Sequence, residues 1–267
     1  MNNLLDVNNL CKSFSIRNGF KNEILRAVQN VSFQINSNQP SILAIAGESG
    51  SGKSTVAKLI LGLEKISSGS IYFKGRDINQ IPKREKRNWL LKEIQPVFQD
   101  PFASFSPLKK IESYLFETYR NFKIGDDDYY ETYINEVLSN VGLTFGEVKS
   151  RYPNELSGGQ AQRIAVARAL ISKPSLIIAD EPVSMLDASL RISIVNMFIK
   201  LKQQNQISII YITHDLTTAY YSADNIIIMK KGKIVETGTV GNVLKDPQHE
   251  YTQNLIASIP KITDIAL

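Results

Sequence analysis

The 267-residue sequence is poor in reactive side chains: one cysteine, one tryptophan and two histidines. Cys11 alone forms no internal disulfide, and a single thiol suits a reducing compartment. Cys11 with His214 and His249, the histidines 35 positions apart, is a poor basis for a zinc site. Long hydrophobic runs are missing too. The longest unbroken apolar stretch is five residues, Ile42–Ala46, against the roughly 20 that a membrane-spanning helix needs. Residues 1–6 carry neither a basic cluster nor an apolar core, so no signal peptide is expected. Membrane association, if any, is expected to be indirect. Charge of one sign is also scarce: 31 Lys plus Arg against 26 Asp plus Glu leave a net charge of +5. With no long basic block or interleaved aromatic series, nucleic acid is not expected as a partner. The densest basic run, residues 83–87, is broken by Glu85 and reads as a solvated helix face.

What is present is a globular balance, 43% apolar and 21% charged, which excludes a disordered chain. The length suits one large domain or two small ones. Residues 31–35 alternate apolar and polar like a half-buried strand, and residues 41–46 read as a fully buried one. Helical spacing follows over residues 53–63, then a strand over 70–73. From 99 to 173 helical patterns dominate, at 111–119, 127–141 and 156–171. Beyond Pro174, strand-like runs at 175–179, 207–213 and 225–229 alternate with helical runs at 190–202 and 216–221. The pattern predicts an α/β core interrupted by a helical insertion, one folding unit with two lobes.

Gly47, Glu48, Ser49, Gly50, Ser51, Gly52, Lys53 and Ser54 fit the spacing G-x-x-x-x-G-K-[ST], with a strand before and a helix after. Such a loop curls its N–H groups onto one phosphate, and the following helix adds its dipole. Lys53 is expected to reach β- and γ-phosphates, and the Ser54 hydroxyl to coordinate Mg²⁺. A second strand, residues 176–179, ends in Asp180 and Glu181. Asp180 at the strand tip can hold Mg²⁺, and Glu181 can polarise an attacking water. Leu156, Ser157, Gly158, Gly159 and Gln160 precede a long helical pattern, so Ser157 is an expected N-cap and a second anion-binding helix start. One chain has no second triphosphate for it, which points to a phosphate on a neighbouring subunit.

Together these residues resemble the ATP-binding-cassette (ABC) ATPases. The LSGGQ signature stands unaltered at Leu156, Ser157, Gly158, Gly159 and Gln160; Gln99 matches the Q-loop, Asp187 the D-loop and His214 the switch histidine. The resemblance covers essentially the whole chain. It implies a P-loop NTPase fold with a RecA-like core, an antiparallel β subdomain and a helical signature subdomain. Residues 1–98 and 171–267 would form the core with its β subdomain, and 99–170 the helical part, in a single cassette. ATP and Mg²⁺ are the implied cofactors. Each ATP would lie between residues 47–55, Thr55 included, of one subunit and residues 157–160 of a second ATPase subunit, in a homo- or heterodimer. Glu181 would act as general base or water-orienting carboxylate. His214 would contact the γ-phosphate, and Gln99 would sense Mg²⁺ and the water. Phe14 is the candidate for adenine stacking, or else a core aromatic.

The kind of machine follows from spacing and wording. Only 57 residues separate Gln99 from Ser157, too few for the coiled-coil arm of repair ATPases, and one motif set does not match two-cassette translation factors. The Q-loop wording at residues 95–107, the D-loop wording at 181–189 and the tail at 232–236, 247–252 and 258–260 are similar to the peptide/nickel importer group. The wording is most similar to F-type subunits of dipeptide and oligopeptide permeases. That implies two transmembrane permease subunits, an extracytoplasmic substrate-binding protein and a peripheral place on the cytoplasmic face of the cell membrane. Peptides are the expected cargo, with nickel or metallophore complexes and oligosaccharides as alternatives. His249 sits in the tail wording and is not expected to catalyse or bind metal. No iron–sulfur cluster is expected either, since no cysteine follows Cys11. Phe102, Phe105, Tyr114, Leu115 and Tyr119 are candidates to cup a permease helix, or to pack within their lobe. Ser106 and Ala161 depart from the group's usual residues.

Overall fold

The computed structural model describes residues 3–18 and 21–258, so Ile259 and Pro260 of the tail wording lie outside the described residues. The chain opens with β1 (Asn3–Asn18), β2 (Lys21–Asn36), β3 (Ile42–Ala46), α1 (Lys53–Ile60), β4 (Ser68–Phe73) and β5 (Arg76–Asp77). There follow α2 (Lys83–Glu85), a π-helical turn (Lys86–Leu90), α3 (Leu91–Glu93), β6 (Ile94–Val97), α4 (Ile111–Asn121) and α5 (Tyr130–Ser139). Next come α6 (Phe145–Val148), α7 (Gly158–Leu170), β7 (Leu176–Asp180) and α8 (Ala188–Asn205). The last elements are β8 (Ser208–Thr213), α9 (Leu216–Ser222), β9 (Asn225–Lys230), β10 (Lys233–Thr239), α10 (Val240–Lys245) and α11 (Glu250–Ala257). Two compact units divide the chain: Met1–Pro82 with Ile210–Leu267, and Lys83–Ile209.

In the first unit, an antiparallel sheet runs in the order β2-β1-β4-β5. Its alternation is interrupted at Asn9 and Asn30, both with positive φ, where β1 and β2 slip register. An extra residue at such a bulge turns the following side chains to the other face. The same unit holds β10, β9 and β3, adjacent in that order, and β8 from Ile210 onward. All five residues of β3 are buried, and β3 pairs in parallel with β9, Ile45 opposite Ile227. A strand covered on both faces needs continuous rather than alternating hydrophobicity, which is what residues 42–46 supply.

In the second unit, β6 and β7 pair in parallel, Ile94 opposite Leu176 and Val97 opposite Ala179. β6 stands at the end of its strand order, where Pro96 is tolerated despite its missing N–H. The helical stretch of residues 99–170 lies inside this unit, which also holds β6, β7 and α8. Tyr119, Tyr130 and Phe145 meet edge to face, with centroids 5.4 and 5.8 Å apart. The hydroxyls of these tyrosines are not stranded: Tyr119 donates to the Asp126 carbonyl at 2.9 Å and Tyr130 to the Glu112 carbonyl at 3.0 Å. Tyr133 donates to the Ile171 carbonyl at 2.7 Å, and burial pushes its phenol up to about 12. Leu115 and Tyr119 are 0% exposed and Phe105 is 5%. These three side chains are therefore core, and of the five proposed to cup a permease helix they are withdrawn. Phe102 remains 39% exposed.

Candidate functional site

β3 delivers the chain into the glycine-rich loop of the first unit. Gly47 has φ +144°, and a Cβ there would stand 2.2 Å from the Met229 carbonyl oxygen. Gly52 has φ +105°, and a Cβ would stand 2.4 Å from the Ala27 carbonyl oxygen. Any side chain at either position would displace backbone, not a flexible neighbour. The loop is also tied from below, where Gly232 N–H donates to the Ser51 carbonyl at 2.9 Å. Lys53 opens α1 and is 4% exposed. Its ammonium donates to the Gly47 and Glu48 carbonyls at 2.7 and 2.8 Å, with Ser51 Oγ at 3.5 Å. A buried ammonium is tolerated when acceptors surround it, as here. No side-chain hydrogen bond caps α1 and no acid sits in its first turn, and the positive end of a helix dipole attracts an anion. Glu48, Ser49, Gly50 and Ser54 are exposed, and Thr55 is half-buried.

Two other expected residues belong to the same unit. His214 follows β8 and is exposed. The next residue, Asp215, caps α9 by accepting from Thr217 and Thr218 N–H at 2.9 and 3.3 Å. That cap fixes the strand-to-helix junction on which His214 sits. Phe14, on β1, is half-buried, with Lys12 Nζ 4.6 Å from its ring centroid. Lys12 is itself held by Glu64 at 3.1 Å and the Lys65 carbonyl at 2.8 Å. One face of the Phe14 ring therefore carries a fixed cation.

The second unit holds the remaining expected residues. Asp180 ends β7 and is half-buried. Glu181 has φ +49°, left-handed backbone for a non-glycine residue, and its carbonyl accepts from Ser184 Oγ at 3.1 Å. Asp187 caps α8, accepting from Leu190 N–H at 3.0 Å and Ser189 Oγ at 2.8 Å. Those donors, Leu190 N–H foremost, hold its carboxyl below the usual range. Ser157 caps α7 as expected: Gln160 N–H donates to Ser157 Oγ at 3.2 Å, and Ser157 N–H to Gln160 Oε1 at 3.1 Å. A Cβ at Gly158 would stand 3.4 Å from Leu186, and one at Gly159 only 3.1 Å from Leu190. The paired glycines let α7 approach the Asp187 segment and α8 closely, which joins two motifs that read as independent in the sequence. Gln99 is exposed beyond β6, followed by a turn in which Asp100 accepts from Phe102 and Ala103 N–H at 2.9 and 3.2 Å. The Ser54 hydroxyl, the Asp180 carboxylate and the Gln99 amide oxygen are each, taken singly, a hard oxygen donor of the kind that suits Mg²⁺.

Two residues gain roles that motif spacing does not reveal. His249 Nδ1 accepts from Tyr251 N–H at 3.0 Å and so caps α11, a structural duty. Tyr251 in turn reaches the glycine-rich loop, its hydroxyl oxygen accepting from Glu48 N–H at 3.0 Å. In the sequence the tail wording at residues 247–252 marks a likeness but not this contact.

A family model described as ABC transporter matches residues 28–184. The oligopeptide transport ATP-binding protein OppF of Lactococcus lactis subsp. lactis (strain IL1403) is 41% identical over 268 residues, covering 98% of this chain and 82% of that protein. The dipeptide transport ATP-binding protein DppF of Haemophilus influenzae is 37% identical over 263 residues, covering 97% of this chain and 79% of its own length. Among solved structures, the cassette MJ0796, as a post-hydrolysis dimer bound to ADP and Pi, superposes with a TM-score of 0.76 at 28% identity, covering 88% of this chain and 98% of that one. CbiO1 of Clostridium perfringens, part of the ABC transporter complex cbiONQ, gives a TM-score of 0.78 at 26% identity and covers 92% of both chains.

Proposed function

The chain belongs to the ABC transporter family, and from that premise we propose that it is the ATP-hydrolysing subunit energising a membrane importer of di- or oligopeptides. The observation that carries the reading is the glycine-rich loop, with the buried Lys53 ammonium held by loop carbonyls at the uncapped start of α1. The β- and γ-phosphates of ATP compete for that ammonium, and the N–H groups of residues 47–55 with the α1 dipole neutralise the remaining charge. Ser54, Asp180 and Gln99 would hold Mg²⁺, whose charge offsets that of the phosphates. Glu181 orients the attacking water or takes its proton, and His214 keeps that water in line with the γ-phosphate. Phe14 stacks on the adenine with the ring face away from Lys12. Ser157, Gly158, Gly159, Gln160 and Asp187 serve the ATP of a second ATPase subunit, identical or different.

The relatives' names support peptide as cargo, and the same names support membrane permeases as partners. Among the described residues no helix is long and apolar enough to cross a membrane. In this reading the chain works at the cytoplasmic face, beneath two permease subunits fed by an extracytoplasmic binding protein. Uptake of labelled dipeptides and tetrapeptides tests this in a strain lacking the chain. Uptake is lost without it and restored by the wild type but not by Glu181→Gln. Peptide uptake that persists while nickel or oligosaccharide uptake disappears overturns the cargo assignment.

A further inference from the structure

The peptide group between Gly47 and Glu48 is held at both ends. Its N–H donates to the Tyr251 hydroxyl at 3.0 Å, and its carbonyl accepts from Lys53 Nζ at 2.7 Å. A peptide plane fixed by two hydrogen bonds on opposite edges cannot rotate without breaking one of them. Tyr251 thus lies one peptide away from the ammonium that meets the phosphates.

Tyr251 is itself immobilised. It is buried, Lys230 Nζ lies 4.4 Å from its ring centroid, and His249 caps the helix that carries it. The turn before that helix is anchored to β10, where the Glu236 carboxylate accepts from Gln248 and His249 N–H at 2.8 and 3.2 Å. A further bond closes the turn, from Gln253 Nε2 to the Pro247 carbonyl at 2.9 Å. Burial keeps the Tyr251 phenol above its ordinary range, so the hydroxyl stays neutral as an acceptor.

We propose that Tyr251 is a positioning residue for nucleotide binding: through the Gly47–Glu48 peptide it sets the place of Lys53, and α11 is the strut that carries it. The proposal rests on the reading that this loop binds ATP. Tyr251→Phe removes the oxygen that accepts from Glu48 N–H, together with the hydroxyl's bond to the Glu48 side chain, and leaves the ring in place. In the full chain its Kd and KM for ATP rise about 3- to 10-fold, the worth of one neutral hydrogen bond, while kcat holds. The melting temperature without nucleotide falls by only a few degrees (about 2–4 °C), since the free protein loses the same bond. Gln253→Ala loosens the same turn but keeps the Tyr251 hydroxyl, so ATP affinity falls by less than in Tyr251→Phe.

Wild-type affinity in Tyr251→Phe overturns the proposal, and so does an equal loss in both variants, which would mark a general loosening of the tail. Lys53→Ala separates this failure from a failure of the underlying reading. If Lys53→Ala still binds ATP, the ATP assignment falls. If it loses ATP while Tyr251→Phe does not, the strut alone falls.

Discussion

Glu181 holds the most demanding backbone among the expected catalytic residues, with φ at +49°. Left-handed backbone costs a residue with a Cβ about 1–2 kcal/mol, and such outliers persist where the surroundings over-determine them. If the strain serves catalysis, relieving it should harm turnover and spare the fold. Glu181→Asn, a residue that tolerates this region, is expected to keep or raise the melting temperature while hydrolysis falls to background. A clear drop in melting temperature would mark Glu181 as structural. Glu181→Gln keeps the size and removes the base, so turnover falls about 10²–10⁴-fold with ATP binding intact, as calorimetry beside a phosphate-release assay would measure. Gly52→Ala tests the loop itself. Its Cβ would lie 2.4 Å from a backbone oxygen at φ +105°, so stability should fall by about 1–3 kcal/mol in a denaturant melt and ATP affinity with it. These residues were legible because their chemistry depends on local spacing, Lys53 and Ser54 following Gly52 directly. Tyr251 was not, because its partner Glu48 is 203 positions away and nothing in either neighbourhood announces the other.

At the scale of elements, periodicity was legible wherever one repeat runs unbroken. β3 and β7 appear as short continuous apolar runs, and α4, α5 and α7 as helical stripes close to their observed bounds. β1 was hidden because its bulge near Asn9 resets the alternation partway along, and β6 because Pro96 argues against a strand unless its place at the edge is known. Asp127–Tyr129, expected as the start of a helix, is a 3₁₀ turn that leads into α5. The α4–α5–α7 region carries its own pH signature. Tyr133 is pushed up to about 12 by burial, whereas an unfolded tyrosine ionises near 10. Between those values the folded form retains a proton that the unfolded form has lost, so stability falls as pH rises from about 10. Melting followed by circular dichroism should show this decline, and Tyr133→Phe should make it shallower, with Tyr119 and Tyr130, whose phenols burial also raises, carrying the rest. An unchanged slope in that variant would take Tyr133 out of the effect.

For the whole molecule, the modest +5 charge and the two compact units frame what ATP can do. The helix-rich stretch of residues 99–170 shares its unit with β6 and β7, because the pairing of Ile94 with Leu176 joins segments too distant for local pattern to connect. The nucleotide loop, by contrast, lies wholly in the unit built from both ends of the chain, and Gly232 and Tyr251 brace it from the carboxyl-terminal part. A ligand that binds only the folded loop stabilises by mass action, about 2.7 kcal/mol at a hundred times its Kd. For a chain of this size each kcal/mol moves the melting temperature by about 2–4 °C. Saturating ATP should therefore raise the transition of the loop-bearing unit by about 5–10 °C in scanning calorimetry. Glu181→Gln should retain that shift, since it alters hydrolysis and not binding, and Lys53→Ala should lose it. Because Tyr251 on α11 is bonded to the loop, the shift should also appear in the protease resistance of α11, far along the sequence from Lys53. An ATP shift that leaves α11 as easily cut as before would mean that the bracing of the loop by the tail carries no binding energy.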